Sequence, residues 1–131
     1  MGSFSDYLED EVLDHVTGKG AYTSPTVYVA LSTADPTDDA SGMAEPSGDA
    51  YARVETSASD WDASSGGATA NATAITFPEA TGNWGTITHF ALYDASTGGN
   101  MLMHGALDAS RSITNGITPR FAIGELDITL D

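Results

Sequence analysis

The sequence predicts a mainly β fold, an antiparallel β-sandwich or flattened barrel with one N-terminal α-helix. Three observations carry that expectation. Residues 86–93 are rich in β-branched and aromatic side chains and contain no proline, and the next six, Asp94-Ala95-Ser96-Thr97-Gly98-Gly99, tolerate the dihedral angles of a reversal. Residues 26–32 and 126–130 place apolar side chains at every second position. A helical period is read in one place, at the N-terminus.

The helix is expected over about residues 3–17. Phe4, Leu8, Val12 and Val16 recur every four residues and form one apolar stripe, widened by Leu13. Ser3 or Ser5 suits the N-cap, Asp6, Glu9 and Asp10 suit the positive end of the helix dipole, and Gly18 suits the stop. His15 near the C-terminal end has a structural role there. After Pro25, residues 26–32 set Val27, Val29 and Leu31 against Tyr28 and Ala30, the pattern of a strand. Residues 35–49 carry two prolines, two glycines and several acids and read as a long surface loop.

A short strand follows at 51–55, then a polar stretch around Trp61 and a turn at Ser64-Ser65-Gly66-Gly67. Residues 71–77 read as a strand ended by Pro78, with Ala72 and Ala74 opposite Ile75 and Phe77. Its alanine side would admit another sheet or another subunit. Residues 86–107 form the central hairpin, apolar on both faces: Ile87, Ala91 and Tyr93 on one, Phe90 and Leu92 on the other. If the loop is residues 94–99, Tyr93 pairs with Asn100 and His89 lies opposite His104. Asn115-Gly116 marks a turn and Gly124 a bulge or corner; Leu126, Ile128 and Leu130 form a final, paired strand. The chain shows no internal repeat and no linker, so residues 1–131 are expected to be a single domain.

Nineteen acids face four bases, Lys19, Arg53, Arg111 and Arg120, for a net charge of -15. Binding to nucleic acid needs Lys and Arg to displace counterions from phosphate, so it is not expected, nor is binding to an anionic membrane. Such acidity fits high solubility or work in salty water, where self-repulsion is screened. Without cysteine there are no disulfides and no thiolate sites. The acidic N-terminus does not resemble a signal peptide, and no apolar run is long enough to cross a bilayer.

Two groups of residues merit weighing as metal ligands. His89 and His104, facing each other across the hairpin, would offer two imidazoles to zinc, but two ligands without a zinc-site spacing read better as a packing pair. Asp35, Asp38 and Asp39, with Glu45 and Asp49 beyond, would offer oxygens to calcium, but they do not follow the EF-hand pattern and read better as a solvated acidic loop. There is no Gly-x-Ser-x-Gly elbow and no phosphate-binding glycine loop. The expectation is therefore no catalytic residue, no metal and no cofactor.

Trp84-Gly85-Thr86-Ile87-Thr88-His89-Phe90 and residues 98–107, together with residues 7–16, 28–36, 48–53 and 124–130, resemble a family of small tailed-phage virion proteins commonly labelled tail-fibre-like. The resemblance spans nearly the whole chain and implies a virion component with no active site. The acidic residues 38–45 and the scarcity of lysine depart from the family pattern. A chain this short lacks the length or repeats of a self-contained shaft, so a capsid decoration (cement) protein is expected first, a homo-oligomer, most simply a trimer, seated on the major capsid protein. Its place would be the virion exterior, after assembly in the host cytoplasm. The alternative is a tail or tail-fibre component, including a receptor- or carbohydrate-binding tip. A sugar site would require Trp61 and Trp84 exposed together on one concave face.

Overall fold

The computed structural model describes residues 2–130; Met1 and Asp131, the ends of the expected domain, lie outside them. The chain is mainly β with one α-helix: β1 (Gly2–Phe4), α1 (Asp6–Thr17), β2 (Tyr28–Ser32), β3 (Val54–Glu55), a 3-10 turn (Ala58–Asp60), β4 (Ala68–Ala70), β5 (Ile75–Thr76), β6 (Gly85–Tyr93), β7 (Met101–Ile113), β8 (Arg120–Phe121) and β9 (Asp127–Thr129). Seven strands form a curled half-barrel in the order β3-β2-β6-β7-β1-β9-β4, and β5 and β8 make a separate ribbon. Neighbours are antiparallel except β1 and β9, which run parallel with Gly2 opposite Ile128.

The first residues are strand rather than helix. Gly2, Ser3 and Phe4 pair with Gly105, His104 and Met103, and this pairing outweighs the helical period of Phe4. Ser5 makes the switch: its N–H donates to the Leu102 carbonyl (2.9 Å), its Oγ donates to the Met101 carbonyl (2.5 Å), and the same Oγ accepts the Leu8 N–H (3.2 Å). Gly18 ends α1 at φ 83°, a left-handed cap that costs a glycine little. His15 lies in the last turn, and its Nδ1 accepts the Tyr22 N–H (3.2 Å). Only Leu8 of α1 is buried; Leu13 is 62% and Val16 75% exposed, so the predicted stripe is not laid against the sheet.

The central hairpin is formed by β6 and β7, but two irregularities reset its register. Leu92 faces Met103 while Tyr93 faces Met101, so Leu102 is an extra residue and the Tyr93–Asn100 pair is not made. His104 therefore lies opposite Ala91, and His89 opposite Ala106; the expected His89–His104 pair is overturned. Further along, Ile87 faces Arg111 and His89 faces Ala106, which leaves residues 107–110 without partners on β6. This break frees Ile87 from strict alternation, and it joins the cluster of Phe90 and Leu92 rather than that of Ala91 and Tyr93. The second strand also runs on to Ile113 before the Asn115-Gly116 turn.

The predicted strand 71–77 is divided. β4 ends at Ala70, and β5 belongs to the other sheet. Asn71 makes the break: its fully buried amide donates to the Thr73 and Ala122 carbonyls (2.8 and 2.9 Å) and accepts the Leu126 N–H (2.9 Å). Ala74 is exposed and Ala72 only half-buried, so no alanine face is presented to a sheet.

The main core packs β2, β6 and Ile128 of β9 against Ile75, Phe77 and Leu126. Phe121 edges onto Phe77 and Phe90, with ring centroids 6.3 Å apart in both pairs, and so seats the β5–β8 ribbon on the half-barrel. A second, smaller cluster of Ala30, Ala91, Tyr93 and Met101 is covered by Ala40 and Met43. The loop thus covers the hairpin's second face with Ala40 and Met43, while its Asp35, Asp38, Asp39 and Asp49 stay exposed.

Candidate functional site

The cover folds by local hydrogen bonds against its own backbone preference. Thr37, Ala40, Asp49 and Ala50 all take positive φ, between 52° and 68°. Gly42 allows the closest turn: a Cβ there would stand 2.1 Å from the Asp35 carbonyl oxygen. The loop is pinned to α1 by the Asp6 N–H, which donates to the Asp38 carbonyl (2.9 Å), and to the end of β2 by the Thr33 N–H, which donates to the Ala44 carbonyl (3.0 Å).

The loop brings together residues that sequence reasoning kept apart. The Nε2 of His104 is 2.8 Å from Asp38 Oδ1, and its Nδ1 is 4.0 Å from Asp35 Oδ1. His89 is not in this group; its Nδ1 lies 2.8 Å from Thr88 Oγ1. Asp39 turns away to accept the Ser41 N–H (3.0 Å) and the Thr37 hydroxyl (2.8 Å). Among the described residues, no three or more His, Asp or Glu side chains are gathered to hold a metal ion. A chelator such as EDTA is expected to leave the melting temperature unchanged, because a structural metal is linked to folding. A fall reversed by zinc or calcium would point back to His104, Asp35 and Asp38.

Hydrogen bonds from Ser41, side chain first and then backbone, and from Thr37 hold the Asp39 carboxyl below its ordinary 3.8, at about 2. A depressed folded-state pKa means that the stability from these bonds is present above the ordinary value and is lost as pH falls through about 2. In an NMR titration the Ser41 amide is expected to shift with a midpoint near 2, and a midpoint near 4 would show that the turn does not hold the charge.

The most heavily bonded side chain was not singled out from the sequence. Arg53, 6% exposed at its side chain, meets Glu45 through Nε and Nη2 (2.8 and 2.9 Å). Its Nη1 donates to the Ala95 and Gly98 carbonyls (2.9 and 2.8 Å), and its guanidinium lies 3.8 Å from the Tyr93 ring centroid. Tyr51 donates to Glu45 (2.6 Å) and accepts the Leu31 N–H (3.1 Å). Burial, reinforced by the Glu45 bond, pushes the Tyr51 phenol far up, so it remains a donor. Arg53 thus ties the cover to the hairpin turn, and Tyr51 ties the cover to β2. The available signal was a base within Gly48–Arg53, in a chain with so few others.

Trp84 is buried at 4% exposure and its Nε1 donates to the Asp49 carbonyl (2.8 Å). Trp61 is half-buried and donates to Thr56 Oγ1 (3.0 Å). The two do not form an exposed aromatic platform. The surface instead offers a cleft of about 430 Å³ beside the break in β7, floored by Ile87, Phe90, Ile113 and Phe121 and bordered by Arg111 and Arg120. No helix is long and apolar enough to cross a membrane, among the described residues.

Residues 3–129 match the family described as podophage GP4 fiber I protein gp80. The chain belongs to this family, and is thus a tail-fibre-like virion protein of a tailed phage. No curated protein matches it.

Proposed function

We propose that the chain is a non-enzymatic structural subunit of a tailed-phage fibre, placed on the virion exterior after assembly in the host cytoplasm. The family match over residues 3–129 carries this reading, and it favours a fibre or tail position over the capsid-decoration role expected from chain length. The engagement of His104, Asp38, Asp39, Glu45 and Arg53 in internal bonds supports a structural use of groups that could otherwise serve chemistry. Partners are other virion proteins and further copies of the chain, most simply in a trimer; nucleic acid and membrane are not among them, given the net charge of -15. Cryo-electron microscopy of the particle tests the placement: density for the half-barrel in a fibre or tail supports it, and density on the capsid lattice overturns it.

Self-association should depend on salt. Like-charged subunits repel over long range, and ions screen that repulsion beyond about 10 Å at 0.1 M salt. Light scattering across a salt series is expected to show the mean mass rising with salt. A monomer at every concentration of salt and protein would remove the homo-oligomer from the proposal.

A further inference from the structure

The outer strip of helix α1 and the cleft beside β7 are complementary, and both face solvent. On α1, Glu9, Asp10, Leu13 and Val16 are exposed and share one strip, by their three- and four-residue spacing. Neither Glu9 nor Asp10 has a side-chain bond among the described residues. The cleft has the opposite character at its border. Two of the four bases of the chain, Arg111 and Arg120, line it, and neither side chain has a hydrogen bond or ion pair among the described residues. Its own acids do not neutralise them by contact: Glu125 instead accepts the Ala122 N–H (2.9 Å), and the Asp108 side chain has no bond among the described residues. The apolar floor matches Leu13 and Val16, and about 430 Å³ accommodates several aliphatic side chains.

We propose that α1 of one copy docks into the cleft of a second copy, burying Leu13 and Val16, while Glu9 and Asp10 meet Arg111 and Arg120. This rests on the self-association reading above and names its interface. The occupant is another copy because the chain itself carries the matching surface: an acidic, apolar-tipped helix for a cleft that holds half of its scarce positive charge. The two surfaces differ, so the contact is heterologous. A cyclic trimer requires contacts of that kind, since an isologous contact closes only pairs. Added salt weakens the long-range repulsion of the subunits more than it weakens pairs desolvated within the cleft.

Charge reversal tests the interface. Sedimentation velocity would compare wild type with E9R/D10R and with R111E/R120E, each checked by circular dichroism for an unchanged fold. Each double variant has helix and cleft of like sign and is expected to self-associate roughly ten-fold or more weakly. Mixed in equal amounts, they restore the pairing at every contact between unlike variants, so mixed dimers should reappear, while a closed three-membered ring, which cannot alternate, keeps one like-charged contact. Should a charge variant not fold, L13S, at an already exposed position, is expected to weaken association by itself. Wild-type association unchanged by the substitutions, or folded variants that stay apart when mixed, would overturn this interface and leave self-association standing. A wild type that is monomeric throughout would overturn both, while the fibre placement is judged separately by microscopy.

Discussion

Phe90→Ala is expected to lower the unfolding free energy by about 3–5 kcal/mol, the range for emptying a well-packed aromatic site. Phe90 is 2% exposed and stands where three parts of the fold meet. It belongs to the main core, its ring edges onto Phe121 of β8 at 6.3 Å and 76°, and its tip lies against β1, where a Cβ on Gly2 would come within 3.0 Å of it. Truncation removes the ring on which the ribbon sits. Collapse is hindered because the surrounding strands are bonded to one another, so the cavity term stays large. Urea titration gives the value directly, and a loss under about 1 kcal/mol would class Phe90 with surface positions.

Arg53→Ala is expected to cost a similar amount, about 3–5 kcal/mol, through a different mechanism. The substitution leaves Glu45 charged, largely enclosed and without its cation, and it strips the Ala95 and Gly98 carbonyls of a donor. Removing the opposing charge as well should recover much of the loss. Arg53→Met with Glu45→Gln is therefore expected to be more stable than Arg53→Ala, since both halves of the pair are neutral. Chemical denaturation of the set distinguishes this from simple loss of side-chain volume, in which the double variant would be no better. A single variant within about 0.5 kcal/mol of wild type would show that the pair behaves like an exposed one.

What was legible in the sequence followed from local chemistry. The strands of the hairpin showed in their β-branched and aromatic residues, its turn in Asp, Ser and Gly, and the helix stop in Gly18. Register was not legible, because it depends on Leu102 and residues 107–110 being left over, and nothing in those residues marks them as extra. The helix start was misplaced because Phe4 fits a helical period and a strand equally well, and only its distant partner Met103 decides. Ala40 and Met43 cover the second face from a loop without periodicity, so composition showed the loop's exposed acids and not its covering role. The meeting of His104 with Asp38 follows from that cover and was invisible for the same reason. Family membership was readable because it rests on runs of residues along most of the chain, which do not require a correct register.

The parallel pairing of β1 with β9 has a kinetic consequence. Gly2 waits for Ile128, and Phe4 for Met103, so β1 has no partner strand until β7 and β9 have been made. At about 5–20 residues per second, that delay is on the order of ten seconds on the ribosome. Closure then requires contacts between residues far apart in sequence, the kind of long loop that slows β-rich folding into the millisecond-to-second range. During the wait β6 would present Phe90 and Leu92 to other nascent chains, and the acids already emerged ahead of it, from Asp6 to Asp62, keep those chains apart by repulsion. The same charge that opposes assembly of finished subunits thus protects the unfinished ones.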